Sequence, residues 1–211
     1  MQQIFLTSVN PAEYAKQGTD FAFPVPESCP NPECMVPIPP IKHGFYERNC
    51  LDFGFNGRIL IRRYYCPYCG KTISYLPSFC LPYFQYSLAI IYLVISGYFN
   101  SELSYSKIVY QVKQHNPDLH CMDKQHIEFY ILRFLMNLNA IQLSIRQILS
   151  DIELPEYGLD IKKGAKKILH IVNTGFGEIQ NFSTKFFVQC KRSFLSPLQN
   201  ILALSKEFCV N

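Results

Sequence analysis

The residues of this chain with the clearest chemistry are four cysteines in two short pairs. Cys29 and Cys34 are separated by four residues that include two prolines, and Cys66 and Cys69 belong to a Cys-Pro-Tyr-Cys-Gly segment. A Cys-x-x-Cys turn places two sulfurs on one side of a tight loop, which suits Zn–S bonds of about 2.3 Å. Gly70 favours that turn because glycine adopts positive φ without strain. The two pairs therefore predict one tetrahedral Zn²⁺ site with four thiolate ligands.

Disulfides and thioredoxin-like redox chemistry are the alternatives for these pairs. Residues 1–23 lack the basic start and continuous apolar run of a signal peptide, so we expect a reducing, cytoplasmic setting in which thiols stay free. A redox Cys-x-x-Cys would begin a helix, whereas Cys66 follows a strand-like segment. Isolated thiols are usually buried in the core, and we predict this for the remaining cysteines, Cys50, Cys80, Cys121, Cys190 and Cys209.

Composition and charge narrow the function classes. With 211 residues and 48% apolar content, the chain can form one ordinary core, or a small metal-stabilised module plus a helical domain. There are 20 basic and 16 acidic side chains, so a nucleic-acid site must be a local patch rather than a polycationic tail. The longest apolar run, residues 88–95, is too short to cross a bilayer of about 30 Å. We therefore predict a buried helix there and no membrane partner.

The elements around the cysteines predict a zinc ribbon over residues 28–80, after an irregular lead-in over residues 1–27. The prolines of residues 35–41 preclude a helix. Alternation over residues 43–48 suits a strand, and the β-branched and aromatic residues 58–65 predict a second strand that ends at Cys66. Residues 71–75 return as its partner. The prediction is a small antiparallel sheet held mainly by zinc, because so short a sheet has little core of its own.

From residue 81 the pattern becomes helical. An apolar helix is predicted over residues 84–98, and Ser104 is the predicted cap of a helix that runs to about His115 and is stopped by Asn116-Pro117-Asp118. Asp123 opens a longer helix whose core stripe is Ile127, Ile131, Phe134, Leu135 and Leu138. Two helices joined by a short polar turn behind a packing helix predict a helix-turn-helix domain over residues 81–150. The fold class is therefore α+β, with a helical tail over residues 151–211.

The order of these motifs resembles the amino-terminal zinc ribbon and helix-turn-helix of bacterial insertion-sequence transposases, and stand-alone proteins that carry the same module. The resemblance covers residues 28–148 and rests on His43-Gly-x-Tyr-x-Arg48, on Arg-Arg-Tyr-Tyr-Cys66-Pro-x-Cys69-Gly, and on the following Leu76-Pro77 and apolar helix. It implies recognition of double-stranded DNA at the ends of a mobile element, in the bacterial nucleoid. The first cysteine pair departs from the usual Cys-x-x-Cys, and the loop to the second pair is long.

The chain is predicted not to be an enzyme. A transposase of this kind also carries a ribonuclease-H-like domain, whose carboxylates come from strands far apart in sequence and hold the catalytic metals. After residue 148 the acidic residues all lie in one short segment: Asp151, Glu153, Glu156, Asp160, Glu178 and Glu207. The chain also lacks the His-hydrophobic-His pair of a tyrosine-nucleophile nuclease. We therefore predict an accessory, targeting or regulatory factor of transposition.

The residues predicted to contact DNA are cations near the metal and polar residues at the start of the longer helix. Phosphates are contacted by Lys and Arg, and base edges by Arg, Asn and Gln. The ribbon candidates are Lys42, Arg48, Arg58, Arg62, Arg63 and Lys71. The helical candidates are Lys107, Lys124, Gln125 and Arg133. Arg62 and Arg63 are adjacent in a strand, so only one of them can join a given patch. An ordinary solvated face is the alternative for the helix.

Each of several further sequence features has two possible interpretations. His43 is either a fifth candidate ligand or a structural or phosphate-facing group, and His115, His120, Cys121 and His126 imitate a second metal site without matching a usual ligand spacing. The basic run at residues 162–167 either grips phosphates or is a solvated face. A set of phenylalanines is predicted to pack on the chain's own core or to mediate self-association: Phe182, Phe186, Phe187, Phe194 and Phe208.

Two alternative functions follow from the same residues. In the first, zinc only stabilises a protein-interaction scaffold within a mobile-element or defence complex, and the Phe-rich tail docks a transposition protein. In the second, exposed tyrosines stack on single-stranded DNA or RNA. The candidates for stacking are Tyr64, Tyr65, Tyr68 and Tyr75.

Overall fold

The chain folds as a small mixed β-sheet followed by a helical layer, which confirms the predicted α+β class. The computed structural model describes residues 1–34, 36–116, 122–149, 152–155 and 160–197. The strands are β1 (Gln2–Phe5), β2 (Ile41–Asp52), β3 (Phe55–Tyr65) and β4 (Thr72–Pro77). The helices of the described residues are α1 (Pro11–Gln17), α2 (Leu88–Phe99), α3 (Tyr105–His115), α4 (Lys124–Met136), α5 (Leu138–Ile148), α6 (Ile161–Phe176) and α7 (Ile179–Cys190).

The lead-in is ordered, contrary to the irregular segment predicted for residues 1–27. The strand order is β1-β4-β3-β2, and β1 pairs with β4 in parallel, so the sheet is mixed rather than purely antiparallel. Asn10 caps α1 by accepting a hydrogen bond from the Glu13 N–H at 2.9 Å, and Pro11 occupies the first turn. Tyr14 of α1 is fully buried and donates its hydroxyl to the Leu60 carbonyl at 2.9 Å. The lead-in therefore covers one face of β3.

The sheet has a hydrophobic core of its own, which corrects the prediction that zinc is its main support. Ile59, Ile61 and Leu76 are each at most 1% exposed, and they pack with Tyr14 and Phe79. Burial of each such aliphatic side chain contributes about 1.5–3 kcal/mol. The sulfur cluster lies at one end of this packed sheet, where β3 enters the second cysteine pair.

The helical layer follows the predicted pattern with two changes of boundary. The first apolar helix begins at Leu88 rather than residue 84, because Ser87 caps it by accepting from the Ile90 N–H at 3.3 Å. Helices α3 and α4 begin after Ser104 and Asp123 as predicted, and Pro117 and Asp118 lie outside the described residues.

The predicted longer helix is broken at Asn137, so its stripe residue Leu138 begins α5. The Asn137 side-chain amide is fully buried and donates to the carbonyls of Arg133 and Ser196 at 2.8 and 2.9 Å, while its oxygen accepts from Arg192 at 2.8 Å. These three hydrogen bonds satisfy the buried amide and join the α4–α5 corner to the segment after α7. The break therefore has a tertiary cause that helical periodicity does not record.

Helices α6 and α7 pack against the same core as α2–α5. Phe182, Phe186 and Phe194 are buried in that helical cluster, whereas Phe187 lies in the cluster beneath the sheet. Helix α7 also contacts β1, and Gln180 accepts a hydrogen bond from Ser78 at 3.0 Å. The Phe-rich segment thus serves the chain's own core at these four positions, and Phe208 lies outside the described residues.

The end of β2 is tied to the segment that leads into α2. Leu51 exchanges backbone hydrogen bonds with Gln85 and Ser87 at 3.0 and 2.8 Å. The Arg48 guanidinium, half-buried on β2, donates to the carbonyl oxygens of Leu81 and Phe84. These contacts fix the sheet relative to the helical layer.

Replacing Arg48 by Met is expected to lower the free energy of unfolding by about 2–4 kcal/mol, because it leaves two carbonyls without their charged donor while the apolar stem is kept. Urea denaturation monitored by circular dichroism measures the change. The matched control is Arg58→Met, since Arg58 makes an exposed 2.7 Å ion pair with Glu47 and its loss should cost less than about 1 kcal/mol. Equal losses in the two variants would contradict a structural role for Arg48.

Candidate metal centre and nucleic-acid interface

The four paired cysteines converge on one point, as their spacing predicts. The Sγ atoms of Cys29, Cys34, Cys66 and Cys69 all lie within 4.8 Å of one another. The Cys29–Cys69 and Cys34–Cys66 sulfur pairs are both 3.7 Å apart. A tetrahedral ion with metal–sulfur bonds of about 2.3 Å requires sulfur–sulfur edges of about 3.8 Å, whereas a disulfide bond is about 2.05 Å long. The cluster has the dimensions of a metal site and not of disulfides.

Backbone hydrogen bonds hold the second pair in a tight knuckle. The Cys66 N–H donates to the Lys71 carbonyl at 3.0 Å, and the Gly70 N–H donates to the Cys66 carbonyl at 2.9 Å. Gly70 has φ of 67°, the left-handed conformation that glycine adopts without strain. The knuckle therefore closes the end of the β3–β4 hairpin and directs its two sulfurs to one side.

The first pair is organised by Asn31, which the sequence reasoning missed. Asn31 is 8% exposed, and its carbonyl accepts the Cys34 N–H at 2.9 Å. Its side chain also reaches the Cys69 sulfur, so it links the two pairs. The signal available in the sequence was an asparagine between two prolines inside the Cys29–Cys34 loop, since asparagine side chains readily bond nearby backbone in turns.

Burial and hydrogen bonding shift the pKa values of the clustered thiols in opposite directions. Burial raises the pKa of Cys29 to about 12. Burial also acts to raise the pKa of Cys69, but hydrogen bonds from the Lys71 N–H, the Asn31 side chain and the neighbouring thiols outweigh it and lower that pKa to about 6. Donors aimed at a ligand atom are typical of the outer shell of metal sites. Binding a cation would convert the whole set to thiolates and release protons.

The other cysteines of the described residues lie outside this cluster. Cys50 and Cys80 are buried in the sheet core, as predicted, although they are neighbours in space: a hydrogen bond between the two thiols, together with burial, raises the pKa of Cys50. Cys190 is half-buried, and Cys121 and Cys209 lie outside the described residues. Within the part of the chain that is described, the four-cysteine group is the one cluster of at least three Cys, His, Asp or Glu side chains close enough to share an ion.

The histidines considered as ligands have other surroundings. The His43 ring is exposed and lies 5.5 Å from the Tyr65 ring, outside the cysteine cluster. His115 packs edge-on against Phe53 at 5.3 Å, and His126 Nδ1 lies 2.7 Å from the Asp123 carboxylate. His120, the remaining member of the imitated second site, lies outside the described residues.

The six candidate cations of the ribbon do not form one patch. Lys42 and Lys71 are exposed at the end of the sheet that carries the cysteines. The Arg62 guanidinium stacks on the Phe45 ring at 4.5 Å, and the Arg63 Nε is buried without a hydrogen-bond partner. Arg48 donates to the Leu81 and Phe84 carbonyls, and Arg58 is paired with Glu47. Lys42 and Lys71 are therefore the ribbon cations best placed to meet a phosphate.

The helical candidates lie on α3 and α4, which pack against each other and against α2. Lys107, Lys124 and Gln125 are exposed, and Arg133 stacks on the Phe129 ring at 5.1 Å. The Asp123 side chain caps α4 by accepting the N–H groups of Gln125 and His126, and these hydrogen bonds lower the Asp123 pKa. The amino-terminal turn of α4 is thus well formed and open, as a recognition helix requires.

The tyrosines proposed for base stacking are mostly committed to packing. Tyr64 is fully buried and donates its hydroxyl to the Pro24 carbonyl at 2.7 Å, and Tyr75 packs against it with ring centroids 5.3 Å apart. Tyr65 is half-buried, and Tyr68 is 58% exposed. A stacking platform built from all four rings is therefore absent from the described surface.

Comparison with known proteins gives a family match without a function. Residues 31–111 match a family described as a domain of unknown function, DUF6431. The match spans less than half of the chain and includes three of the four clustered cysteines. No curated protein matches the chain, and no solved structure does. The family description lends no support to a relationship with transposases. None of the helices in the described part of the chain is long and apolar enough to span a membrane.

Replacing Cys66 by Ser should reduce bound metal from one ion per chain to a small fraction, because a three-thiol site loses affinity for a tetrahedral ion. Elemental analysis of purified protein measures the metal content. Cys190→Ser is the matched control, since Cys190 is half-buried on α7 and outside the cluster. Full metal content in Cys66→Ser, or none in the unaltered protein, would contradict a four-sulfur metal site.

Proposed function

We propose that the chain is a zinc-dependent, double-stranded-DNA-binding protein that acts without catalysis as an accessory, targeting or regulatory factor, related to transposase ribbon and helix-turn-helix modules. The observation that carries the proposal is the tetrahedral spacing of four sulfurs beside exposed lysines at one end of the sheet. We propose DNA as the partner because residues 28–148 resemble transposase modules.

Zinc is the ion that best suits the cluster. Tetrahedral four-sulfur sites hold zinc or iron, and closed sites of this kind with no open position are typical of structural zinc. Two of the four cysteines are buried and two are half-buried, which leaves little room for a substrate at the ion. Loss of zinc would free the Cys29–Cys34 loop from the end of the sheet.

The exposed cations support nucleic acid as the partner. Lys42 and Lys71 project beside the metal centre, and Lys107, Lys124 and Gln125 project from the helices. Because Arg48 and the backbone of Leu51 tie the sheet to the helical layer, these groups keep a fixed relative position. A fixed arrangement of cations lowers the entropic cost of contacting successive phosphates.

The acidic residues after residue 148 support a non-catalytic role. Asp160 caps α6 by accepting the N–H groups of Lys162 and Lys163 at 3.0 and 3.1 Å, and Glu178 stands at the start of α7. Glu153 is exposed. Among the described residues these carboxylates do not gather into a metal-binding group. Asp151, Glu156 and Glu207 lie outside the described residues.

A Lys42→Gln/Lys71→Gln variant should bind duplex DNA more weakly, and the slope of log K against log salt should fall by about 1.8, because each lost phosphate contact removes about 0.9. Fluorescence anisotropy with a labelled duplex selected from a random library measures both quantities. Removing zinc with a chelator should weaken binding further. Arg58→Gln is the control, since its partner is Glu47. Absence of duplex binding by the zinc-loaded protein would overturn the proposal.

A protein-interaction scaffold is the second candidate, and a specific observation favours it. The outward face of α4 exposes apolar side chains, with Phe129 at 42% and Leu132 and Met136 each at 50% exposure. Beside it lies a groove of about 620 Å³, and half of its lining residues carry aromatic rings. Apolar residues clustered on a solvent-facing helix mark protein contacts more often than DNA contacts.

The Leu132→Glu variant distinguishes binding of duplex DNA by α4 from binding of protein by α4. If α4 enters the major groove of DNA, the added carboxylate should weaken duplex binding at least tenfold by repulsion from phosphates. If the face of α4 binds protein, duplex affinity should stay within about twofold and any self-association seen by analytical ultracentrifugation should be lost.

A further inference from the structure

We propose that the exposed face of α6 is an additional phosphate-contact surface, which binds the backbone of duplex DNA alongside the sites described above. This inference rests on the proposed function, because it names a further part of the same DNA interface. The surface consists of Lys162, Lys163, Lys166 and Lys167, with His170 extending it, and we call it the lysine face.

The lysine face follows from the sequence of α6. At 100° per residue, the four lysines and His170 fall within an arc of about 140°. The opposite side of the helix is buried, with Ala165 and Ile168 fully covered and Leu169 and Val172 each 1% exposed. Helix α6 contains four lysines and no acidic residue; Lys162, Lys163 and Lys166 are exposed and Lys167 is half-buried, and the exposed residues Asn173 and Thr174 add only neutral polar groups to this arc.

Neighbouring groups leave this charge largely uncompensated. Lys166 makes an ion pair with Glu102 at 3.6 Å, in which the two side chains are 52% and 80% exposed. Exposed pairs of this kind are weak and are screened by salt. The Lys162 ammonium lies 5.5 Å from the Tyr98 ring, which orients it without neutralising it. Lys163 is exposed beside them, and together these residues border a recess of about 290 Å³.

The lysine face begins next to the helix-turn-helix. Tyr105, at the start of α3, lies close enough to Lys162 of α6 and to Glu128 of α4 for both charges to act on its hydroxyl. The amino-terminal end of α6 is therefore near the amino-terminal end of α3 and near Glu128 of α4. The lysine face thus starts close to the exposed side of α4, with Tyr105 and Glu128 between them.

Phosphate is the ligand chemistry that fits such a face. Lysines are flexible point charges that contact phosphates without reading bases. Lys162, Lys166 and His170 stand about 6 Å apart along one row of the helix, so they can track a strand of phosphates. A basic helix can instead bind an anionic membrane. That mode inserts the apolar side of the helix into the bilayer surface, whereas the apolar side of α6 is buried in the hydrophobic core of the helical layer.

The test compares two variants that each remove two positive charges. Lys162→Gln/Lys166→Gln alters the lysine face, and Lys16→Gln/Lys185→Gln alters exposed lysines on α1 and α7. Duplex binding by the zinc-loaded full chain is followed by fluorescence anisotropy from 50 to 200 mM salt. In the lysine-face variant we expect roughly tenfold weaker binding and a salt slope lower by about 1.8, with the control variant unchanged. Lys162→Arg/Lys166→Arg should restore the slope.

The outcomes separate this inference from the function on which it rests. If the unaltered chain binds no duplex, the proposed function fails and this surface fails with it. If the unaltered chain binds duplex and the lysine-face and control variants behave alike, the lysine face is a solvated surface and this inference alone is overturned. Binding of phosphatidylserine vesicles that is lost in the lysine-face variant, with duplex binding unchanged, would also overturn it. Circular dichroism confirms that each variant is folded.

Discussion

Four sulfur atoms within 4.8 Å of one another are the constraint on which the cysteine-bearing end of the molecule depends. As thiolates they repel one another, and as thiols two of them are buried with weak hydrogen-bonding capacity. A divalent cation resolves both problems, because it neutralises the charges and fills the tetrahedral space. The packing around the sulfurs is slight, with Tyr64 and Ile73 as the main buried neighbours. A bound cation would therefore fix the position of the Cys29–Cys34 loop far more than that of the sheet.

The remainder of the sheet is stabilised by contacts that a free zinc ribbon would lack. Helix α1 covers β3, β1 pairs with β4, and Arg48 holds the segment before α2. The ribbon and the helical layer consequently share one framework. Exposed cations on the two parts therefore keep fixed positions relative to one another.

Much of this arrangement could be predicted from the sequence, for identifiable physical reasons. Cysteine spacing constrains sulfur geometry directly, and Asp123 marks a helix start because its side chain accepts the free N–H groups of the first turn of α4, whereas α3 begins after Ser104 without a side-chain cap. The lead-in was missed because a four-residue strand and a seven-residue helix are too short for periodicity to register. The break at Asn137 and the carbonyl contacts of Arg48 arise from residues distant in sequence, so local patterns carry no trace of them. The same limit applies to the arginines of the ribbon. Their closeness in sequence suggested one basic patch, but in the structure their side chains have different surroundings.

Helix α7 has a consequence for the order of assembly. It places Phe187 under the sheet and Phe182 among the helices, and it contacts β1. The two hydrophobic clusters are therefore both incomplete until residues 179–190 have left the ribosome. During synthesis the apolar surfaces of the early strands therefore stay uncovered until α7 has emerged, whereas both cysteine pairs have emerged well before that moment.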